Sequence, residues 1–231
     1  MILDNQQMPQ PIGPLVHPLP PGILPNLTPI TGRYMQLVAL NPDTHGPQLW
    51  DSMKGKQNEG LWTYLFSGPY VDEKSFQEWL ISCASKRDPW FYTYLVGGAA
   101  LGMGSFMRAD PASGAIELGN ILISPAMQQT RASSEATYLF MRHAFEELGC
   151  RRFEWKCNAL NAPSIRAAKR FGFTFEGIFR QHMISKGRNR DTAWFAVIDS
   201  EWPRIKAGFE AWLTPENFDA QGQQKAKLQV A

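Results

Sequence analysis

Eight of the 17 prolines of this chain fall in residues 1–32, "MILDNQQMPQPIGPLVHPLPPGILPNLTPITG". A proline ring fixes φ and removes an N–H donor, so helix and sheet ladder are both shut out over most of that stretch. The chain therefore reads as a proline-rich arm (1–32), a folded body (33–218) and a polar tail (219–231) that frays after Phe218. Leu15, Val16, Ile23 and Leu24 give the arm something to bury, against its own body or a partner subunit. A disordered arm is the alternative. Of the 231 residues, 44% are hydrophobic and 19% charged, enough for a sizeable core.

Composition narrows the function classes. A net charge of +2, from 23 basic and 21 acidic residues, gives no electrostatic case for nucleic-acid binding. The basic clusters Arg151-Arg152 and Lys186 to Arg190 read as solvated edges. Three cysteines, Cys83, Cys150 and Cys157, form no CxxC pair, so neither a disulfide framework nor a metal site is indicated. Cys157 reads as a small buried strand residue rather than a nucleophile, since no motif ties a histidine to it. No apolar run approaches a membrane span, and the start lacks the basic-then-apolar order of a secretory signal. The expectation is a protein of the reducing cytoplasm.

Element order follows from periodicity and punctuation. "RYMQLVAL" alternates as a first strand. Two helices follow, the second ("VDEKSFQEWLISCASKR") capped by Asp72 with Phe76, Trp79, Leu80 and Cys83 at helical spacing. Between them "LWTYLFSGPY" is an aromatic loop. "PWFYTYLV", "GGAALGMGSFMRA" and "AIELGNILI" are strands, with a hairpin turn rather than a nucleotide loop at the glycines. A helix over Ala132–Leu148 stops at Gly149, and "RRFEWKCN" is a strand. Asn161 then caps a short helix with Pro163 in its first turn, and a hairpin around Lys186 to Asn189 follows. The fold class is mixed α/β (α+β): a central sheet of about seven strands with flanking helices, parallel only where a helix crosses over.

That order, together with "IELGNILISP", Asn161-x-x-Ser164, Gly172-Phe173, Glu176-Gly177 and "GRNRDTAWFAVIDSEW", resembles the GNAT superfamily of acyl-CoA-dependent N-acyltransferases, and within it the RimJ/RimL-like branch. The resemblance implies that the strands "AIELGNILI" and "RRFEWKCN" splay apart. It implies that the pantetheine arm of acetyl-CoA enters the gap against the main chain of Ile121, Leu122 and Ile123. The pyrophosphate would sit on the loop Gln128, Gln129, Thr130, Arg131, Ala132 and Ser133, at the positive end of the next helix. Asn161 would reach the pantetheine. The family's loop pattern has small residues where this chain carries Arg131 and Ser133. A phosphate nest needs donors and room rather than glycine itself, and an arginine can add charge-assisted bonds.

Acyl transfer from a thioester to an amine needs a base, a donor for the oxyanion, and a group to stabilise the departing sulfur, and no metal. The resemblance implies Glu117 as base, its pKa raised by apolar burial, with paired structural carboxylate as the alternative. It implies Ser164 as the partner of the leaving sulfur, a second helix cap being the alternative. Glu154 is the reserve base. Trp62, Tyr64 and His182 are candidates for the acceptor side, although such aromatics also close cores and dimer faces. The acceptor would be a small amine or a peptide N-terminus, and a homodimer is possible. The competing readings are a non-catalytic acyl-CoA-binding module and an assembly protein that uses the proline arm.

Overall fold

The computed structural model describes residues 10–230, so residues 1–9 of the arm lie outside the described residues. One sheet organises the body, in the order β1-β2-β3-β4-β5-β6-β8-β7. Its strands are β1 Ile30–Thr31, β2 Gln36–Ala39, β3 Trp90–Val96, β4 Ala99–Asp110, β5 Ala115–Ile123, β6 Arg152–Asn158, β7 Thr174–Ser185 and β8 Arg188–Ile198. The strand beyond the expected seven is β1, whose two residues are too short to carry a period. Gly97-Gly98 and Lys186-Gly187, all at positive φ, form the two-residue turns between β3 and β4 and between β7 and β8. Gly102 and Gly104 lie inside β4 rather than in a turn, and Gly104 leaves space for the Tyr94 hydroxyl.

Helices α1 Pro42–Met53 and α2 Glu73–Ala84 cover one face of the β2–β5 half of the sheet. Helices α3 Arg131–Arg142 and α5 Trp202–Trp212 cover the other face, and α4 Ala162–Arg170 follows β6. Each of α1 to α4 begins on a side-chain cap: Asn41, Asp72, Thr130 and Asn161 accept a backbone N–H two or three residues on. The single long helix expected over Ala132–Leu148 is α-helical only to Arg142. It then widens into a π turn, His143–Glu147, where the Leu148 N–H reaches the His143 carbonyl at 3.0 Å. At the start of α3, buried Glu135 accepts the N–H groups of Arg33 and Tyr34, both at 2.7 Å, and so ties the β1–β2 turn to the helix.

Residues 10–29 contain no helix or strand. Pro20 and Pro21 press on Gly114 and Gly149, positions at positive φ where a side chain would collide with the rings. Over residues 219–230 the tail is packed on the body rather than frayed. Leu228 and Val230 are buried in the α3–α5 core, the Trp212 indole donates to the Ala226 carbonyl at 3.1 Å, and Lys225 N–H reaches the Asn217 carbonyl at 2.7 Å. A polar average over that segment conceals its two apolar anchors.

The site depends on one strand pair. β5 and β6 are the sheet's parallel neighbours, and a crossover through α3 joins them. They pair only from Ala115↔Arg152 to Leu118↔Trp155, although both strands continue. Asn120, at φ 52°, marks the cause: the β4–β5 register shifts there, and the bulge turns β5 away from β6. β6 meanwhile stays paired to β8 as far as Asn158↔Thr192.

Candidate active site

Past Leu118 and Trp155 the β5 edge has no β6 partner for its main chain. Ser124 N–H donates to the Leu101 carbonyl across to β4 at 3.0 Å. By strand alternation Leu122 also faces β4, while the main-chain groups of Ile121 and Ile123 face the gap. Leu122 is therefore removed from the expected trio: its backbone is spent in the ladder and its side chain is buried. The Ile123 carbonyl accepts the Gln128 side-chain amide at 3.2 Å.

Because β5 and β6 run parallel, the loops leaving them meet at the same wide end. The first is residues 128–130, which run into α3 at Arg131, so the expected loop is helical over its last three residues. Gln129 takes a positive φ, and Thr130 caps α3 by accepting the Ser133 N–H at 3.3 Å. The Ser133 hydroxyl is spent on the Thr130 carbonyl at 2.7 Å. Among the described residues, no hydrogen bond uses the N–H of Gln129, Arg131 or Ala132, and the first turn of α3 holds no acid. The Arg131 guanidinium lies 4.1 Å from the centre of the Tyr34 ring and 5.3 Å from that of Phe218. It is stacked against those rings, which accounts for its tolerance where a small residue was expected.

The second loop begins α4. Asn161 Oδ1 accepts the Ser164 N–H at 3.2 Å, and the Ser164 hydroxyl accepts the Trp155 indole N–H at 3.0 Å. Burial pushes the Cys157 thiol above its ordinary value, against a weaker opposing pull from Ser164. Burial likewise raises Cys83 and Cys150, each to about 11, so none of the three free thiols is a ready nucleophile.

Glu117 lies below the opening, on the sheet face shared with α1 and α2. Its side chain is 4% exposed, and its surroundings are ionic rather than the apolar bed expected. Oε2 accepts from Arg108 Nη1 at 2.8 Å and Lys156 Nζ at 2.9 Å, and among the described residues Oε1 takes no hydrogen bond. Lys156 also binds Glu154 at 2.6 Å, Glu154 takes the Arg152 Nε at 2.7 Å, and Arg152 grips Glu176 on β7 through both terminal nitrogens. Arg108, Glu117, Lys156, Glu154, Arg152 and Glu176 thus form one chain of alternating charge across four strands. Burial works to raise the Glu154 carboxyl, but its bonds to Arg152 and Lys156 outweigh that and leave it below the ordinary value.

The acceptor-side candidates separate. Tyr64 reaches the site, its hydroxyl donating to the Leu160 carbonyl at 3.0 Å beside α4. His182 stands on β7, with Nδ1 3.0 Å from the Thr192 hydroxyl and its ring beside Phe179 and Trp194. Trp62 does not line the opening. It is buried in an aromatic cluster with Tyr70, Phe76 and Trp79, and its carbonyl accepts from Lys186 Nζ at 2.7 Å. Two basic clusters read as solvated edges are partly built in: Arg152 belongs to the ion chain, and Arg190 is buried.

Sequence reasoning missed Arg108, Lys156, Arg190 and Trp194. A signal for Lys156 was available: Arg152, Glu154 and Lys156 put three charges at two-residue steps on one face of a central strand, where a core face would be apolar. Among the described residues, no cluster of histidine, cysteine and carboxylate could hold a metal ion, and no helix is long and apolar enough to cross a membrane.

The acetyltransferase (GNAT) domain model matches residues 44–174. A GCN5-related N-acetyltransferase from Brucella melitensis is similar over 92% of this chain and 96% of its own, at 46% identity and a TM-score of 0.88. A probable acetyltransferase of the GNAT family from Chromobacterium violaceum ATCC 12472 is 38% identical over 84% of this chain and 98% of its own, with a TM-score of 0.77. An acetyl transferase from Salmonella typhimurium that modifies the N-terminal serine of a ribosomal protein covers 74% of this chain and 99% of its own. At 23% identity and a TM-score of 0.63, that likeness is one of fold. No curated protein matches.

Proposed function

Because this chain belongs to the GNAT family of acetyltransferases, we propose that it moves an acetyl group from acetyl-CoA to a primary amine, on a small molecule or a protein N-terminus, by direct attack in a ternary complex. We place it in the RimJ/RimL-like branch and in the cytoplasm, where three buried free thiols are at ease. The observation that carries the reading is the parting of β5 from β6 beyond Leu118 and Trp155, with the starts of α3 and α4 at its wide end.

Acetyl-CoA supplies the acetyl group already activated as a thioester. The main chain of Ile121 and the N–H of Ile123 offer partners to amide groups in the gap and a donor for the developing oxyanion, while the Ile123 carbonyl is shared with the Gln128 amide. The N–H groups of Gln129, Arg131 and Ala132, at the positive end of α3, suit a diphosphate. Asn161 keeps its amide nitrogen for the pantetheine while its oxygen caps α4. Glu117 is clamped through Oε2, so Oε1 is held in place to receive the ammonium of the acceptor and take its proton, directly or through water. The Ser164 hydroxyl, oriented by Trp155, is the hydrogen-bonding partner for the departing sulfur. Tyr64, Glu154 and His182 border the acceptor side, and Trp62 supports it from behind.

Calorimetric titration with acetyl-CoA, followed by release of free thiol across a panel of amines, tests this reading. Saturable binding and amine-dependent thiol release are expected. Binding with no release across the panel would favour a non-catalytic module, and no binding would refute the cofactor site.

A further inference from the structure

The ion chain on the β5–β6–β8 face is neutral in itself: Arg108, Lys156 and Arg152 are matched by Glu117, Glu154 and Glu176. One cation on the same face stands outside it. Lys156 pairs with Trp194 and Asn158 with Thr192 across the unbroken β6–β8 register. Two-residue steps along β8 therefore put Arg190, Thr192 and Trp194 on the face that carries Glu117 and Lys156. Arg190 is only 7% exposed, and its Cζ sits 4.7 Å from the centre of the Phe66 ring, between the sheet and the segment ahead of α2.

Among the described residues, no carboxylate lies within 4.0 Å of the Arg190 guanidinium and no hydrogen bond uses it, and its Nε is fully shielded. The Trp194 indole N–H, four residues along the same strand face, is likewise buried and unpaired. A buried charge without a counter-charge is strongly unfavourable. The cost is felt here: burial lowers the Arg190 pKa, while the charges of Glu117 and, oppositely, Arg108 act on it from nearby. Donors outnumber acceptors on this wall, so what completes it is an anion with paired oxygens. A carboxylate fits the planar fork of a guanidinium.

Resting on the transferase reading, we infer that the acceptor is an amine that also bears a carboxylate, as in an amino acid, and that Arg190 receives that carboxylate while the amine faces Glu117. Arg190 then selects the acceptor rather than performing the transfer. The same chemistry would arise if the carboxylate sat on the acyl chain of the donor, and the experiment separates the two sources.

Free amino acids are compared with their C-terminal amides as acceptors at saturating acetyl-CoA, in the wild type, Arg190→Met and Arg190→Lys. The wild type should favour acids over amides in kcat/KM by at least about tenfold, the scale of a charge-assisted bond. Arg190→Met should bring the ratio near one with acetyl-CoA affinity unchanged, and Arg190→Lys should keep part of the preference. An equal ratio in wild type and Arg190→Met overturns the inference. Should Arg190→Met fail to fold, an undiminished ratio in Arg190→Lys overturns it. The same acids and amides are also titrated calorimetrically without turnover. Arg190-dependent binding of the acids with no thiol release would sustain the carboxylate site while sinking the transferase reading; no such binding and no release would sink both. In a parallel arm with succinyl-CoA, a loss of donor affinity confined to succinyl-CoA in Arg190→Met would assign the carboxylate to the acyl chain and overturn the acceptor assignment.

Discussion

The two faces of the strands β5, β6 and β8 are made by the same residues in alternation, yet they obey opposite rules. One face carries Leu118, Phe153, Trp155, Cys157, Phe195 and Val197, all buried against the helices of the α3–α5 side. The other carries Glu117, Glu154, Lys156 and Trp194, where charges are paired with one another and with the Trp194 ring, 4.0 Å from Lys156 Nζ. Apart from Trp155, whose indole N–H donates to Ser164, the first face is an interior and could be exchanged for a well-packed set of similar volume. The second could not, because its groups are fixed by partners rather than by space. A central strand that spends alternate side chains on ions forgoes apolar burial on that face.

The largest expected effect breaks the charged face. Glu117→Gln should lower kcat with any accepted amine by about 10²–10⁴-fold, the range for losing a positioned base, while acetyl-CoA affinity by calorimetry stays within about twofold. An unchanged kcat would return Glu117 to a purely structural role. The apolar face answers next. Phe153 is fully buried, and Phe153→Ala should cost about 3–5 kcal/mol of stability in denaturant unfolding. Should the two substitutions prove interchangeable in their effects, the division between the faces is wrong.

The smallest effect sharpens the contrast through pH. Glu154 and Glu176 have carboxyls held below their ordinary values, for Glu176 first through its hydrogen bond from Arg152. A depressed carboxyl contributes stability above its unfolded-state pKa, and that contribution is lost as pH falls through the folded-state value. The melting temperature should therefore decline below about pH 4.3, the unperturbed glutamate value, and Glu154→Gln should decline less steeply. An identical slope would mean that the ion chain adds nothing to acid stability.

The apolar face was legible in the sequence because period and burial coincide: the strand and helix order, the caps Asp72 and Asn161 and the stop at Gly149 all follow from local pattern. The charged face was legible only in part. Glu117, Asn161 and Ser164 came from resemblance, while the partners of Glu117 sit 9 residues away at Arg108 and 39 away at Lys156, a proximity that only the sheet register creates. Arg190 was misread because a run of basic residues at a hairpin tip reads as solvent-facing, whereas the aromatic segment that covers it comes from more than a hundred residues earlier. Trp62 stayed open between core and cleft because an indole looks the same in both until its neighbours are known.

The Gln128 amide that already holds the Ile123 carbonyl has a thermodynamic consequence. A guest amide arriving at that carbonyl replaces a tenant instead of settling on vacant ground, so one hydrogen bond is exchanged for another and the net heat from that position is close to nil. In the proposed binding mode, the grip on a long, thin ligand then comes from its charged end and from the water shed along its length. In exchange, the displaced glutamine would become free beside the segment proposed for that charged end.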